Sequence, residues 1–393
     1  MVVSLDSPQP VFTLPPLNEI PDGDEDVPKP GLALGEVGAL HLPEIVFGAA
    51  SFSHFYTSDN VLSSDLPVRT VRLALRYGIR AFDTSPYYGS SEIVLGTALK
   101  ALEAEYPRSS YKLMTKCGRY GAHQENFDYS PATIRASVQR SLSRLHTSYL
   151  DTVYLHDVEF VCTPVGPITA GNHAVSLAEK SAEYGLAEGQ EGKVWGEGDQ
   201  KILDAIAELR KLQNEGIVKA IGITGYPLPT LLRIALLVVN TPPYKPLDVL
   251  LSYSHLHLQN STLAAFVPTL SHACAHPQLL TASRSTWACS LRPRPPGTAP
   301  PALKEAAQKA SQLCVDDKWE GGLPNLAVGF GCRMAEALDL PVVVGLCNLR
   351  EVHENVAVWR ENKERKDQEN RIALERQVLK VFGDTQGWSW ASP

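Results

Sequence analysis

Short apolar strands that each close on a polar side chain, with a stretch of helical period after each, constrain the fold of this chain more than any other feature. EIVFGAASF (44–52) reads as the first strand, and VRTVRLALRYG spaces its apolar residues at helical intervals before the strand RAFDTSP. Helix SEIVLGTALKAL, strand KLMTKCG, helix ATIRASVQRSLSRL and strand LDTVYLHD keep the beat. After a break it resumes with helix KILDAIAELRKLQNEG, strand VKAIGITG, helix LPTLLRIALLV and strand LDVLLSYSH. LLTAS, ending at Ser283, is the seventh strand and LPVVVGL (340–346) the eighth. Strands separated by helices of this length predict β/α units and a parallel sheet, hence an α/β fold of the (β/α)8 TIM-barrel type. One such barrel takes roughly 250 residues. A chain of 393 residues therefore needs no second domain.

Three segments depart from the beat. Residues 1–40, with PQP, LPPL and the acidic DGDED, lack a sustained apolar period and read as an extension expected to be partly disordered. The barrel is assigned to 41–362, with an insertion at about 159–199 after strand four, where CTPVGPITAGNH and EGQEGKVWGEGDQ interpose Gly, Pro and charge. It would lie at the catalytic face, either capping the substrate pocket or forming a surface excursion. Residues 363–393 read as a C-terminal helical tail, charged and solvated.

With 44% hydrophobic residues the chain can bury a full core, and a net charge of -7 gives no electrostatic footprint for nucleic acid. No run approaches the ~20 apolar residues of a membrane span, and MVVSLDSPQP lacks a signal-peptide pattern. Seven scattered cysteines without a C-x-x-C pair suggest reduced thiols and a cytoplasmic setting. The expected assembly is a monomer or small homo-oligomer.

Chemistry concentrates at three strand ends. FDTSPYYGSSE (82–92) carries Asp83 and Tyr88, KLMTKCG carries Lys116, and DTVYLHD carries His156. Catalytic groups of a parallel barrel emerge at the carboxyl ends of its strands. Taken singly, Tyr87 or Tyr88 fits a strand-end aromatic, Lys116 a solvated lysine and His156 a satisfied loop histidine. Together and in this order, Asp83, Tyr88, Lys116 and His156 resemble the catalytic tetrad of the aldo-keto reductases, with Tyr88 five residues after Asp83 and directly before Gly89. The resemblance implies hydride transfer between a carbinol carbon and a nicotinamide, with Tyr88 carrying the proton. Lys116, held by Asp83, is expected to lower the Tyr88 pKa, and His156 to orient the substrate oxygen. No metal is needed.

No G-x-G-x-x-G opens a helix after a strand, so a Rossmann site is not expected. By resemblance, Thr224 and Gly225 would sit at the nicotinamide carboxamide, Ser252 beneath the ring and Ser283 near the pyrophosphate. Gly345, Asn348, Glu354 and Asn355 would surround the adenosine. NADP-using relatives commonly place Arg or Lys where this chain has Cys347, and a thiol cannot pair with a 2′-phosphate. NAD is therefore expected over NADP. The phrases GITGYPL, LDVLLSYSHLHLQNSTL and VVVGLCNLREVHENV are similar to the NAD-linked sugar 1-dehydrogenases of that family, the fungal D-arabinose and plant L-galactose branch, over most of residues 40–360. This implies oxidation of the anomeric C1 hydroxyl of an aldose to the aldonolactone. The alternatives are an NADPH-dependent reductase of aldehydes such as pyridoxal, and a cofactor-binding regulatory subunit like the β-subunits of potassium channels.

RSTWACSLRPRPPGT (284–298) has no helical or strand period. Related sugar dehydrogenases read S-P-L-x-M-G-L-L-T there, and a one-base shift of reading frame converts the start of this segment to PLNMGLL. A compensated frame error is expected, which genomic and transcript sequence over the stretch would decide, against a divergent loop.

Overall fold

The computed structural model describes residues 5, 11, 12, 14–167, 171–283 and 301–389. Eight parallel strands close into a barrel: β1 Ile45–Gly48, β2 Ala81–Asp83, β3 Lys112–Cys117, β4 Leu150–His156, β5 Val218–Gly225, β6 Val249–Tyr253, β7 Gln278–Ser283 and β8 Val342–Gly345. Each pairs with the next, and β8 returns to β1 with Val342 opposite Ile45. The fold is thus the single-domain (β/α)8 barrel. β1 is shorter than its apolar run because Ala49–Phe52 forms a 3-10 turn, whose Ser51 Oγ donates to Leu346 O at 2.6 Å and ties the ends of β1 and β8 together.

Helices α1 Leu66–Tyr77, α2 Ser91–Ala101, α3 Pro131–Arg144, α4 Glu197–Asn214, α5 Leu228–Val239 and α6 Leu263–Ala273 follow the first six strands in turn. Pro67 and Pro131 stand in the first turns of α1 and α3, where a missing N–H breaks no helical bond, and Gly78 at φ 91° ends α1. Between β7 and β8 lie α7 Pro301–Asp316 and α8 Gly322–Ala337. After β8 come α9 Leu349–Lys363 and α10 Gln368–Phe382.

Side chains alternate across a strand, so the set that fills the lumen fixes which residues emerge at the top. Ala81, Met114, Tyr154, Leu251, Leu280 and Val343 pack inside the barrel. Two residues further along the same faces stand Asp83, Lys116, His156, Tyr253, Ala282 and Gly345.

The tail is not simply solvated. Leu374, Val378 and Phe382 form an apolar stripe at four-residue spacing in the charged run, and α10 buries it against Leu303, Cys314 and Phe330 of α7 and α8. Beyond α10, Trp388–Ser389 pairs antiparallel with Gly171–Asn172 of the insertion. The acidic run of the N-terminal extension is held on α1, where Arg69 donates to Asp26 at 2.8 Å and Arg76 to Asp22 at 2.6 Å. The segment 284–298 lies outside the described residues, as does the side chain of Ser283. No helix among the described residues is long and apolar enough to cross a membrane.

Candidate active site

β2, its following loop, β3 and β4 bring Asp83, Tyr88, Lys116 and His156 to one cleft at the carboxyl end of the barrel. Lys116 Nζ donates to both carboxylate oxygens of Asp83, to Oδ1 at 2.7 Å, and to Thr84 O at 2.9 Å. The same ammonium lies 4.9 Å from the centroid of the Tyr88 ring. His156 meets that ring edge-on at 5.6 Å. Its Nδ1 is 3.0 Å from Ser85 Oγ, and its carbonyl accepts the Tyr129 hydroxyl at 2.7 Å. These bonds fix the imidazole's place on the strand end and leave Nε2 for the cleft.

Electrostatics differ from the expectation in one respect. Enclosure at the barrel end pushes the Tyr88 phenol up to about 12, and the Lys116 charge opposes this only in part. The Asp83 carboxylate, which steadies the lysine, itself disfavours the phenolate. Burial also raises Asp83 against the pull of Lys116. For Lys116, whose burial favours the neutral form, the charge of Asp83 wins and its pKa is raised. His156 is held well below the ordinary histidine range, first by burial and then by Lys116 and Arg119, so it is a neutral imidazole.

The residues expected at the cofactor divide by strand parity. Thr224 has lumen parity on β5 and lines the cleft, and its buried Oγ1 has no hydrogen-bond partner among the described residues. Asn355 Oδ1, on α9 at the same cleft, is likewise buried and unpartnered. Buried polar atoms are usually paired, and these two at one cleft fit an extended ligand with polar groups along its length, as a dinucleotide has. Gly345, Asn348 and Glu354 also line the cleft, and Asn348 Oδ1 caps α9 by accepting from Glu351 N at 2.9 Å. Ser252 does not belong to this set. Leu251 and Tyr253 occupy the cleft side of β6, while Ser252 Oγ sits 3.2 Å from His255 Nδ1. Gly225 pairs in register with Ser252, and a Cβ there would collide with Glu159 Oε2. Its missing side chain thus makes room for a carboxylate from the insertion.

Among the cleft residues not anticipated are Arg119, Asp157, Tyr253 and Glu351. The sequence held a signal for the first three of these. Arg119 and Asp157 sit just past Lys116 and His156, and Tyr253 is two residues past Leu251. Glu351 is placed by the helix cap, which only the fold reveals. Its carboxylate accepts from Cys347 N at 2.8 Å. Among the described residues, none from 159–199 lines the cleft.

The aldo/keto reductase family profile matches residues 44–373. The D-arabinose 1-dehydrogenase of Saccharomyces cerevisiae is 32% identical over 356 residues, covering 88% of this chain and 93% of that protein. The L-galactose dehydrogenase of Arabidopsis thaliana is 34% identical over 330 residues, covering 83% and 86%. In fold, a holo-form aldo-keto reductase from Bacillus halodurans, 18% identical, covers 89% of this chain and 96% of its own at a TM-score of 0.55. The glycerol dehydrogenase of Gluconobacter oxydans, also 18% identical, covers 94% and 99% at 0.54. The chain belongs to the aldo-keto reductase family, oxidoreductases that use a nicotinamide cofactor.

Proposed function

We propose that this chain oxidises the anomeric C1 hydroxyl of an aldose, D-arabinose or a similar sugar, to the aldonolactone, with NAD as the hydride acceptor. The observation that carries the reading is Lys116, gripped by Asp83, under the ring of Tyr88 beside a neutral His156. The extended similarity to dehydrogenases named for D-arabinose and L-galactose supports the substrate class.

Asp83 holds the ammonium in place, and Lys116 supplies the positive charge that favours a phenolate at Tyr88. Tyr88 takes the proton of the sugar hydroxyl, and His156, uncharged, hydrogen-bonds that oxygen and orients it. A nicotinamide held in the cleft would supply the hydride acceptor. Thr224 would hold the carboxamide, and Gly345, Asn348, Glu354 and Asn355 the adenosine, with Ser283 near the pyrophosphate. Glu351 favours NAD, because its carboxylate would accept from a ribose hydroxyl and repel a 2′-phosphate. The rings of Tyr87 and Phe55, packed against each other with centroids 6.1 Å apart at the cleft, would offer an apolar wall to the C–H face of a sugar.

The test is turnover of D-arabinose and L-galactose with NAD and with NADP, followed by ultraviolet absorbance of the reduced cofactor. NAD-linked oxidation of an aldose is expected. Reduction of aldehydes by NADPH without sugar oxidation, or cofactor binding without turnover of either kind, contradicts it.

A further inference from the structure

Beside the four residues assigned to the reaction lies a buried ion pair to which that chemistry gives no part. Asp157 directly follows His156, and Arg119 follows β3 by two residues. Both line the cleft, Asp157 2% exposed and Arg119 6%. Asp157 stands at φ 58°, in the left-handed region. Arg119 Nη1 donates to Asp157 Oδ2. The guanidinium stacks on the Tyr87 ring at 3.9 Å and lies 5.2 Å from the Phe127 ring. Asp157 Oδ2 is 3.6 Å from His156 Nε2, the atom that would touch the reacting oxygen. Asp157 Oδ1, equally buried, has no partner at hydrogen-bonding distance among the described residues, while the Tyr253 side chain steadies the carboxylate as a whole.

A buried carboxylate oxygen without a donor is costly, and the ion pair satisfies only its twin. The left-handed turn at φ 58° and the bond from Arg119 keep the carboxylate beside the reaction position rather than in solvent. A hydroxyl donor brought by the substrate would complete its hydrogen bonding. Because Asp157 adjoins the imidazole atom that would meet the reacting oxygen, such a donor would sit on the neighbouring carbon of the same molecule.

We propose that Asp157, held by Arg119, is a binding subsite for the hydroxyl vicinal to the reacting carbon, the C2 hydroxyl of an aldose, which donates to Asp157 Oδ1. The subsite rests on the sugar-oxidation reading and adds to it a demand for α-hydroxylated substrates. A simple aldehyde or a 2-deoxy sugar leaves the carboxylate unpaired, and a site built to bond a substrate hydroxyl rejects the analogue that lacks it far more strongly than one that merely encloses it.

The experiment compares specificity constants for D-arabinose and 2-deoxy-D-ribose, its 2-deoxy counterpart, with NAD and the full chain. Wild type should prefer arabinose by about 100-fold or more. In Asp157→Asn that ratio should fall to about tenfold or less. Since Asp157→Asn leaves Arg119 without its counter-ion, the paired variant Asp157→Asn with Arg119→Met removes both charges, and its ratio should fall likewise. Equal specificity constants for the two sugars on wild type, or an undiminished ratio in either folded variant, overturn the subsite and leave sugar oxidation standing. Failure of wild type to oxidise any aldose overturns both.

Discussion

Glu351 closes the first turn of α9 on Cys347, its carboxylate accepting from the Cys347 N–H at 2.8 Å and from the thiol at 3.1 Å. The position where NADP-using relatives commonly carry a cation is thus joined here to an anion. A single Cys347→Arg substitution would pair its new guanidinium with Glu351 rather than with a phosphate. It should change the ratio of NADP to NAD affinity by less than about threefold, whereas Cys347→Arg with Glu351→Gln should move it toward NADP by about 10- to 100-fold. Fluorescence titration of both cofactors checks this, and a full shift from the single change would show that Glu351 plays no part.

Tyr88→Phe removes the proposed proton carrier and keeps the ring that faces His156 at 5.6 Å. Turnover should fall by about 10² to 10⁴-fold with NAD affinity nearly unchanged. Tyr87→Phe keeps the ring on Arg119 at 3.9 Å and should be mild. Steady-state rates and a cofactor titration on both variants separate the two tyrosines.

Glu159 offers a test in stability. Burial first, then the charge of Asp157, pushes its carboxyl up to about 8. An acid whose folded pKa lies above its unfolded value holds its proton more tightly in the native state. Its contribution is therefore full below about pH 4.5 and is lost as pH rises through about 8. Glu159→Gln keeps an oxygen for the Tyr226 N–H, which Glu159 Oε1 accepts at 2.9 Å, and has no charge to bury. Its melting temperature should exceed that of wild type by a margin that grows between about pH 5 and about pH 8, at about 1 kcal/mol per pH unit. A margin independent of pH would mean that Glu159 does not titrate there.

Asp83, Lys116 and His156 were legible in the sequence because each ends an apolar strand, and a strand end in a parallel barrel has only one place to go. The same alternation carried information against Ser252. Val249 and Leu251 are the apolar, inward residues of β6, so Ser252 between them turns to His255 and Tyr253 reaches the cleft. The rise in the Tyr88 pKa was not legible, since it depends on how far the barrel end encloses the phenol, and enclosure is a property of the whole fold. The burial of α10 had a local sign in Leu374, Val378 and Phe382, hidden among charges that pointed to solvent.

The proposed loss of hydride from C1 of an aldose, at the cleft where Tyr88 stands, is tested most directly by deuterium at that carbon. D-arabinose labelled at C1 is incubated with NAD and the protein, and the reduced cofactor and sugar product are examined by NMR and mass spectrometry. One deuterium at C4 of the reduced nicotinamide for each aldonolactone formed is the result predicted, and its near absence with Tyr88→Phe follows. Deuterium retained in an oxidised sugar, or no labelled cofactor from any aldose, would contradict the account.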